Sequence, residues 1–301
     1  MVGQFDGYEV CGIELKSPII AGSGLVTDSE RNIRHFLAHG AGAVVTKTIH
    51  PAPPIGNSEK VTEISTGWLN STTYSKKSVE HWLGVLRTFA SEGAPVIASI
   101  HARTPAELGS VASQVENTGC KFLELGISCL NEFEGLLDTP ERVANYSREV
   151  KNAVSIPFSV KLSLGDYLIE RIEAAVSEGA SCITLSDTIP GARIDLSTAK
   201  PLLGGPFGYS GPGMMPLVIA AIYELRASGM TVPVMASGGV SEASDALEYL
   251  YAGANAVQVY SALHTSRDAI RPIVGDLFNM VGSDRAERII GKSILTKEMT
   301  S

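Results

Sequence analysis

Six glycines recur along this chain at the same kind of place, each just after a helical pattern and just before a short apolar run. They are Gly40, Gly93, Gly119, Gly179, Gly229 and Gly253. Glycine suits this place because it closes a helix in the left-handed conformation and lets the chain reverse into the next strand. Helix, glycine and strand in repeated order predict an α/β fold with parallel strands.

Eight short apolar runs rich in β-branched residues fit the strands of such a fold. They cover residues 18–21, 43–46, 96–100, 122–125, 157–160, 181–185, 232–236 and 256–259. Helical patterns lie between them, for example at 79–89, 105–115, 168–176 and 243–251. Eight βα units predict a (β/α)8 TIM barrel, although an open doubly wound sheet would use the same local signals.

The whole chain is compatible with one domain. Its 301 residues are 44% hydrophobic, which is enough for one large core, and no linker, charge run or low-complexity tract divides residues 1–301. The net charge of −8 argues against a nucleic-acid partner. The sequence shows no apolar run of about 18 residues and no secretory signal pattern, so neither a membrane span nor export is predicted.

Four cysteines lie far apart in the sequence: Cys11, Cys120, Cys129 and Cys182. They form no CxxC pair and no Cys/His cluster of metal-ligand spacing, so we expect no metal site and a reducing cytoplasmic location. Cys129 stands out because it follows the end of a predicted strand, where a parallel barrel places its chemistry. We predict a catalytic thiol there; the alternative is a free cysteine that fills the core.

Two lysines, Lys47 and Lys161, each end a predicted strand. An ammonium group inside a barrel mouth is costly unless an anion or an electron-rich ring pairs with it. The pair therefore predicts a ligand that is, or becomes, negative. Lysines that merely extend to solvent are the alternative.

Glycines and hydroxyl groups follow the last two predicted strands. Gly238 and Gly239 come directly after the seventh strand, and Tyr260 and Ser261 end the eighth. Phosphate sites of barrels lie after these two strands, where backbone amides bind the anion. We predict a phosphate-bearing cofactor or substrate, with simple tight turns as the alternative.

Short amide and hydroxyl side chains follow other predicted strands. Asn70, Asn131, Asp187 and Thr188 suit a flat polar substrate with alternating donors and acceptors, and Lys47 lies in the same group. Each amide or hydroxyl could equally cap a turn. The connections 48–78 and 186–216 are unusually long, which is typical of lids or binding loops.

Together these segments carry a family resemblance. Residues 45–48, 67–70, 127–129, 160–163, 193–196, 209–212, 238–239 and 253–259 resemble motifs of the dihydroorotate dehydrogenases, and the similarity runs over about residues 10–262. That family comprises FMN-dependent (β/α)8 enzymes of pyrimidine synthesis. A cysteine matching Cys129 is the base in the soluble class, whereas the membrane-associated class carries serine there.

The resemblance implies an FMN site. The residues that match the flavin contacts of the family are Ala21, Gly22, Ser23, Lys47, Lys161, Gly211, Gly238, Gly239, Tyr260 and Ser261. It also implies the chemistry: hydride passes to or from flavin N5, Cys129 takes or supplies the proton, and Lys161 stabilises the anionic reduced ring. The implied substrate is dihydroorotate or a related cyclic amide. A homodimer and a separate electron-transfer partner are implied as well.

The substrate region departs from the family pattern at three positions. Gly126 and Leu130 stand where the family has asparagine and proline, and Asp187 stands where it commonly has asparagine. A carboxylate at 187 would repel anionic orotate. A neutral dihydropyrimidine or another activated alkene therefore remains an alternative substrate. Two different functions also stay open: a flavin-free lyase with a Schiff base at Lys161 or Lys47, and a catalytically silent flavin-binding subunit.

Overall fold

The computed structural model describes residues 5, 8–52, 59–132, 138–282 and 289–294. Its strands are β1 (Tyr8–Val10), β2 (Ile13–Leu15), β3 (Ile19–Ala21), β4 (Ala43–Val45), β5 (Val61–Ile64), β6 (Gly67–Asn70), β7 (Val96–Ile100), β8 (Leu123–Gly126), β9 (Phe158–Leu162), β10 (Cys182–Leu185), β11 (Ile189–Gly191), β12 (Ile194–Asp195), β13 (Lys200–Pro201), β14 (Phe207–Ser210), β15 (Val234–Ser237) and β16 (Ala256–Val259). Its helices are α1 (Glu30–Ala38), α2 (Val79–Ser91), α3 (Pro105–Glu116), α4 (Pro140–Ala153), α5 (Leu168–Ser177), α6 (Met215–Ala227), α7 (Ala243–Ala252), α8 (Ala262–Thr265) and α9 (Ile270–Val281).

Eight parallel strands close into a barrel. Around the barrel they follow the chain in the order β3, β4, β7, β8, β9, β10, β15 and β16, and β16 pairs with β3, where Val257 lies opposite Ile19. The predicted strands agree with these eight, and the ends differ by no more than two residues. The structure therefore confirms the (β/α)8 prediction and excludes the open doubly wound sheet.

The six linker glycines adopt the backbone conformation that the sequence pattern predicts. Their φ angles range from +66° at Gly93 to +109° at Gly253. In this left-handed region a side chain clashes with the backbone, so glycine is favoured. These turns repeat the same reversal between helix and strand around the barrel.

Helices α1, α2, α3 and α4 each begin after a serine or threonine N-cap that sequence rules favour. In α3, Thr104 and Glu107 form a reciprocal capping box with contacts of 3.1 to 3.3 Å, and Pro105 occupies the first turn. The buried face of α3 carries Leu108 and Val115 at helical spacing. Such a face packs against the barrel, so the helix is stabilised mainly by tertiary contacts.

The two long connections form a second sheet that the sequence does not predict. Strands β5 and β6 come from the first connection, β11 and β14 from the second, and they pair in the antiparallel order β11, β14, β6, β5. The central pairing places Gly208 of β14 opposite Asn70 of β6. We call these four strands the cap sheet. The predicted binding loops are thus joined to each other by backbone hydrogen bonds.

Within the described ranges, no helix is both long and apolar enough to cross a membrane. Helix α2, at 13 residues, is far shorter than the roughly 20 residues that a bilayer requires.

Candidate active site

A cavity opens at the carboxyl ends of the barrel strands, beside the cap sheet. It encloses about 1180 Å³, including the part open to solvent. The structure brings most of the predicted site residues to its wall: Gly22, Ser23, Lys47, Asn70, Cys129, Asn131, Lys161, Asp187, Thr188, Gly238, Gly239, Tyr260 and Ser261. Residues from distant parts of the chain therefore converge on one cavity, as expected for a barrel active site.

Two predicted flavin contacts, Ala21 and Gly211, do not line this cavity. Ala21 is fully buried at the end of β3. Gly211 closely approaches the cap sheet: a Cβ on it would stand 2.6 Å from the Cα of Gly67. A Cβ on Gly239 would in turn stand 2.5 Å from the carbonyl oxygen of Gly211. The missing side chain of Gly211 therefore permits close approach to the cap sheet, and that of Gly239 permits close approach to Gly211.

Lys161 projects into the cavity from β9 and lies between two carboxylates. Its Nζ is 3.8 Å from Oε1 of Glu124 and 4.0 Å from Oδ1 of Asp187. Burial by itself would lower the pKa of Lys161, but these two carboxylates outweigh burial and raise it. Glu124 is held in place because its Oε2 accepts hydrogen bonds from Thr184 at 3.0 Å and Gln258 at 2.7 Å. Lys161 is thus a fixed cation at the bottom of the cavity.

Lys47 follows β4 and has a different environment. It is 5% exposed, and among the described residues no carboxylate oxygen lies within 4.0 Å of its Nζ. Burial lowers the pKa of Lys47, because the more distant carboxylates compensate only in part. A cation this poorly paired is a place where an anionic or electron-rich group of a ligand would bind favourably.

Cys129 lines the cavity and is half-buried. Burial raises the pKa of its thiol to about 11, and the carboxylate of Asp187 adds to that increase. The backbone amide of Asn131 and the ammonium of Lys47 act in the opposite direction. At neutral pH the group is therefore a thiol that holds its proton at the cavity surface.

Asn70 and Asn131 form a hydrogen-bonded cluster that joins the cap sheet to the loop after β8. Asn131 Nδ2 donates to Asn70 Oδ1 at 3.0 Å and to the carbonyl oxygen of Thr72 at 2.7 Å. Asn131 Oδ1 accepts from the backbone amide of Gly208 at 3.0 Å, and Asn70 Nδ2 donates to the carbonyl oxygen of Gly208 at 3.2 Å. These contacts use both N–H groups of Asn131, so the side chain orders the loops as well as lining the cavity.

Asp187 and Thr188 begin the connection after β10. The backbone amide of Thr188 donates to Asp187 Oδ1 at 2.8 Å, which leaves Oδ2 of that carboxylate for further contacts. The side chain of Asp187 is 37% exposed, the most open of the charged groups that line the cavity. Its charge therefore acts on whatever substrate group enters from the solvent side.

Beside the cavity lies a cluster of three rings, Tyr74, His50 and His101, that was not predicted from the sequence. Tyr74 lines the cavity and stacks on His50 and His101, with ring centroids 4.5 Å apart in both cases. Its hydroxyl lies 3.2 Å from Nε2 of His101. Burial lowers the pKa of His50 to about 4 and that of His101 to about 3, so both rings are neutral at neutral pH. Positions after strand ends could have indicated the two histidines, but not their contact with Tyr74.

A sequence model of the family described as dihydroorotate dehydrogenase matches residues 7–280. The chain belongs to the dihydroorotate dehydrogenase family. It is accordingly an oxidoreductase of that family, and the cavity at the carboxyl ends of the strands is its candidate active site.

Similar proteins of the dihydroorotate dehydrogenase family come from archaea and bacteria. The chain is 35% identical over 263 residues to "Dihydroorotate dehydrogenase B (NAD(+)), catalytic subunit" of Methanothermobacter thermautotrophicus, covering 84% of this chain and 86% of that protein. It is 34% identical over 259 residues to the protein of the same name in Listeria monocytogenes, covering 83% and 85%.

A solved structure with the same fold is a dihydroorotate dehydrogenase from Eimeria tenella in complex with ferulenol. Its TM-score is 0.80 at 14% identity, and the alignment covers 98% of this chain and 88% of that one. At this identity the likeness supports the barrel fold alone.

Proposed function

We propose that this member of the dihydroorotate dehydrogenase family uses FMN to oxidise or reduce a carbon–carbon bond of dihydroorotate or a related cyclic amide. The observation that carries the proposal is the meeting of the Cys129 thiol, the Lys161 ammonium and the Gly238–Gly239 turn on one cavity wall. A proton donor or acceptor, a fixed cation and an anion-binding turn are the three components that such a reaction needs.

The residues of the cavity fit a flavin mononucleotide. Gly22, Ser23, Gly238 and Gly239 offer backbone groups and little side-chain bulk on one side, which suits close approach of a phosphate. Gln258 presents a buried Oε1 for which the described residues supply no hydrogen-bond donor. The Lys47 ammonium faces the same cavity. An unpaired acceptor and a poorly paired donor suit a flat ring with alternating polar groups.

When bound, FMN supplies the hydride chemistry, and the side chains of this chain supply the proton and the electrostatic field. In oxidation, Cys129 as thiolate removes the proton from the carbon next to a carbonyl; in reduction, the thiol returns that proton. Lys161 stays protonated because Glu124 and Asp187 stabilise its charge. Its fixed charge stabilises negative charge that develops beside it, which favours the reaction without reorganisation.

The charges of the cavity define the substrate class. We infer that the carboxylate or imide oxygen of a cyclic amide pairs with Lys47, the cavity cation without a close carboxylate among the described residues. Asp187 faces the solvent side of the cavity and raises the energy of an anionic group placed next to it. A neutral dihydropyrimidine is therefore the second candidate, because it keeps the amide contacts and avoids that repulsion.

The relatives also suggest how electrons enter or leave. Those proteins are named as catalytic subunits of an NAD(+)-linked enzyme. We propose that this chain likewise works with a separate electron-transfer partner and forms a homodimer. We further propose that residues 1–301 act as one FMN-binding domain in the cytoplasm, where the four free cysteines stay reduced.

Anaerobic titration of the purified protein tests the proposal. The protein should bind FMN and become yellow, and dihydroorotate or dihydrouracil should bleach the flavin absorbance. A colourless protein that does not take up FMN would contradict it. If a lysine adduct can instead be trapped with borohydride, the flavin-free lyase is correct.

A further inference from the structure

A cluster of three potential metal ligands lies outside the active site. His35 and His39 are one turn apart on α1, and Asp268 belongs to the short segment between α8 and α9. Oδ1 of Asp268 is 3.0 Å from Nε2 of His35 and 3.5 Å from Nε2 of His39. One ligand atom from each residue lies within 4.8 Å of the other two.

A hydrogen bond of His39 leaves its second ring nitrogen free to bind a metal ion. Nδ1 of His39 lies 2.7 Å from the carbonyl oxygen of His35. A carbonyl oxygen can only accept, so Nδ1 carries the hydrogen and Nε2 keeps its lone pair in the neutral ring. Donation from the second ring nitrogen to a carbonyl is the contact that orients metal-bound histidines in proteins.

The contact between His35 and Asp268 is close but is not a hydrogen bond. Nε2 of His35 is buried and has no hydrogen-bond partner in the described part of the chain, although Asp268 Oδ1 is only 3.0 Å away. Apart from this contact with the carboxylate, the buried nitrogen makes no hydrogen bond to a described residue, which is energetically unfavourable. A cation shared with Asp268 and His39 would satisfy this nitrogen.

We propose that His35, His39 and Asp268 bind a divalent cation of the zinc class. Two imidazole nitrogens and one carboxylate oxygen form a donor set that Zn²⁺ accepts, at about 2.0 to 2.2 Å from each ligand. Ligand atoms of a tetrahedral site are then roughly 3.3 to 3.6 Å apart. The two distances from Asp268, 3.0 and 3.5 Å, are close to this range, the third pair of ligand atoms lies within 4.8 Å, and the two imidazole rings stack with centroids 3.9 Å apart. The side chain of Asp268 is 72% exposed, so water can occupy the fourth position.

The position of the site suggests its effect. Helix α1 follows the first barrel strand, β3, and Asp268 lies beyond the last, β16, so the cation would link the two βα units that close the barrel. Arg267 Nη1 already donates to Asn32 Oδ1 across the same junction at 2.7 Å. The expectation of no metal rested on the spacing of the cysteines, and Asp268 is remote in sequence from the histidine pair. A bound ion should raise the melting temperature.

Metal titration of the full-length protein after chelation tests the proposal. We expect binding of one equivalent of Zn²⁺ by calorimetry, a tetrahedral spectrum with Co²⁺, and a rise in melting temperature of roughly 2 to 4 °C. His39→Ala and Asp268→Ala should each weaken Zn²⁺ binding at least about tenfold. His81→Ala, at an exposed histidine on α2, is the matched control and should bind as the wild type does.

Two outcomes would overturn the metal site. One is the absence of saturable Zn²⁺ binding by a folded wild-type protein. The other is equal binding by the wild type and by both ligand variants, each shown to be folded by circular dichroism. Because neither readout depends on flavin or turnover, failure here is distinguishable from failure of the proposed function.

Discussion

Two strand ends of the same barrel each carry a lysine that lines the cavity, yet their surroundings differ. At β9, Lys161 lies between Glu124 and Asp187, and its pKa is raised. At β4, Lys47 has no carboxylate within 4.0 Å in the described residues, and its pKa is lowered. Equivalent positions in a parallel barrel therefore need not have equivalent roles. Lys161 is paired with carboxylates of the protein itself, whereas we propose that Lys47 pairs with a group of the ligand.

Lys47 and Asp187 both shift the pKa of the Cys129 thiol, and replacing this thiol should have the largest effect on the reaction. Cys129→Ala should bind FMN normally and turn over about 100- to 10,000-fold more slowly, because a positioned acid or base contributes that much. Stopped-flow measurement of flavin reduction checks this. Cys11→Ser is the control, since Cys11 lies outside the cavity and donates to the carbonyl oxygen of Ser181. An unchanged rate in Cys129→Ala would remove the thiol from the mechanism.

Replacing Lys161 tests whether its ion pair with Glu124 stabilises the fold. Lys161→Met leaves the buried carboxylate of Glu124 without its cation, and we expect the free energy of unfolding to fall by about 3 kcal/mol. Urea denaturation measures the loss. Adding Glu124→Gln should recover part of it, because the remaining amide carries no charge. If the double variant is less stable than Lys161→Met, the charge pairing at β9 is not what stabilises this region.

The same substitution at Lys47 should reduce ligand affinity and leave the stability of the fold almost unchanged. Lys47→Met leaves no nearby carboxylate unpaired, so its stability should stay close to that of the wild type. The affinity for FMN or substrate should fall roughly 10- to 100-fold, since a charged hydrogen bond to the ligand is lost. Fluorescence titration with FMN and a substrate titration monitor the loss. A large loss of stability with unchanged affinity would make Lys47 a structural residue.

Asp187 acts on both Lys161 and Cys129, and replacing it should have the smallest effect on the reaction. Its carboxylate is the second cause, after burial, of the raised pKa of Cys129. Asp187→Asn should lower that pKa from about 11, so more thiolate is present at any pH below it and the rate profile for substrate oxidation moves to lower pH. The variant also lowers the pKa of Lys161, which loses one of its carboxylates. An unchanged pH-rate profile, or one displaced to higher pH, would contradict the effect assigned to the Asp187 carboxylate.

Much of the barrel could be predicted because its signals are local. The six glycines with φ from +66° to +109° and the eight apolar runs lie next to one another in sequence. The cap sheet could not be predicted, because β6 and β14 pair although Asn70 and Gly208 are 138 residues apart, and their strands are short. Strand pairing at such separation depends on the folded barrel that brings the two connections together.

The candidate site follows the same division. Strand-end positions indicated Cys129, Lys47 and Lys161, since the barrel fixes where such residues lie. Contacts between loops could not be predicted: Tyr74, between β6 and α2, contacts His101, which follows β7 and lies 27 residues further along the chain. Gly211 was predicted as a flavin contact and does not line the cavity, so its contact with FMN stays a prediction.

The pH dependence of flavin reduction, compared between wild type and Cys129→Ala, tests the central claim most directly. With substrate present and oxygen excluded, we predict that the wild-type rate rises toward alkaline pH as the thiol with its raised pKa loses its proton. The variant should reduce FMN slowly at every pH and lack that rise. The same alkaline rise in Cys129→Ala would contradict the assignment of Cys129 as the proton-transferring group.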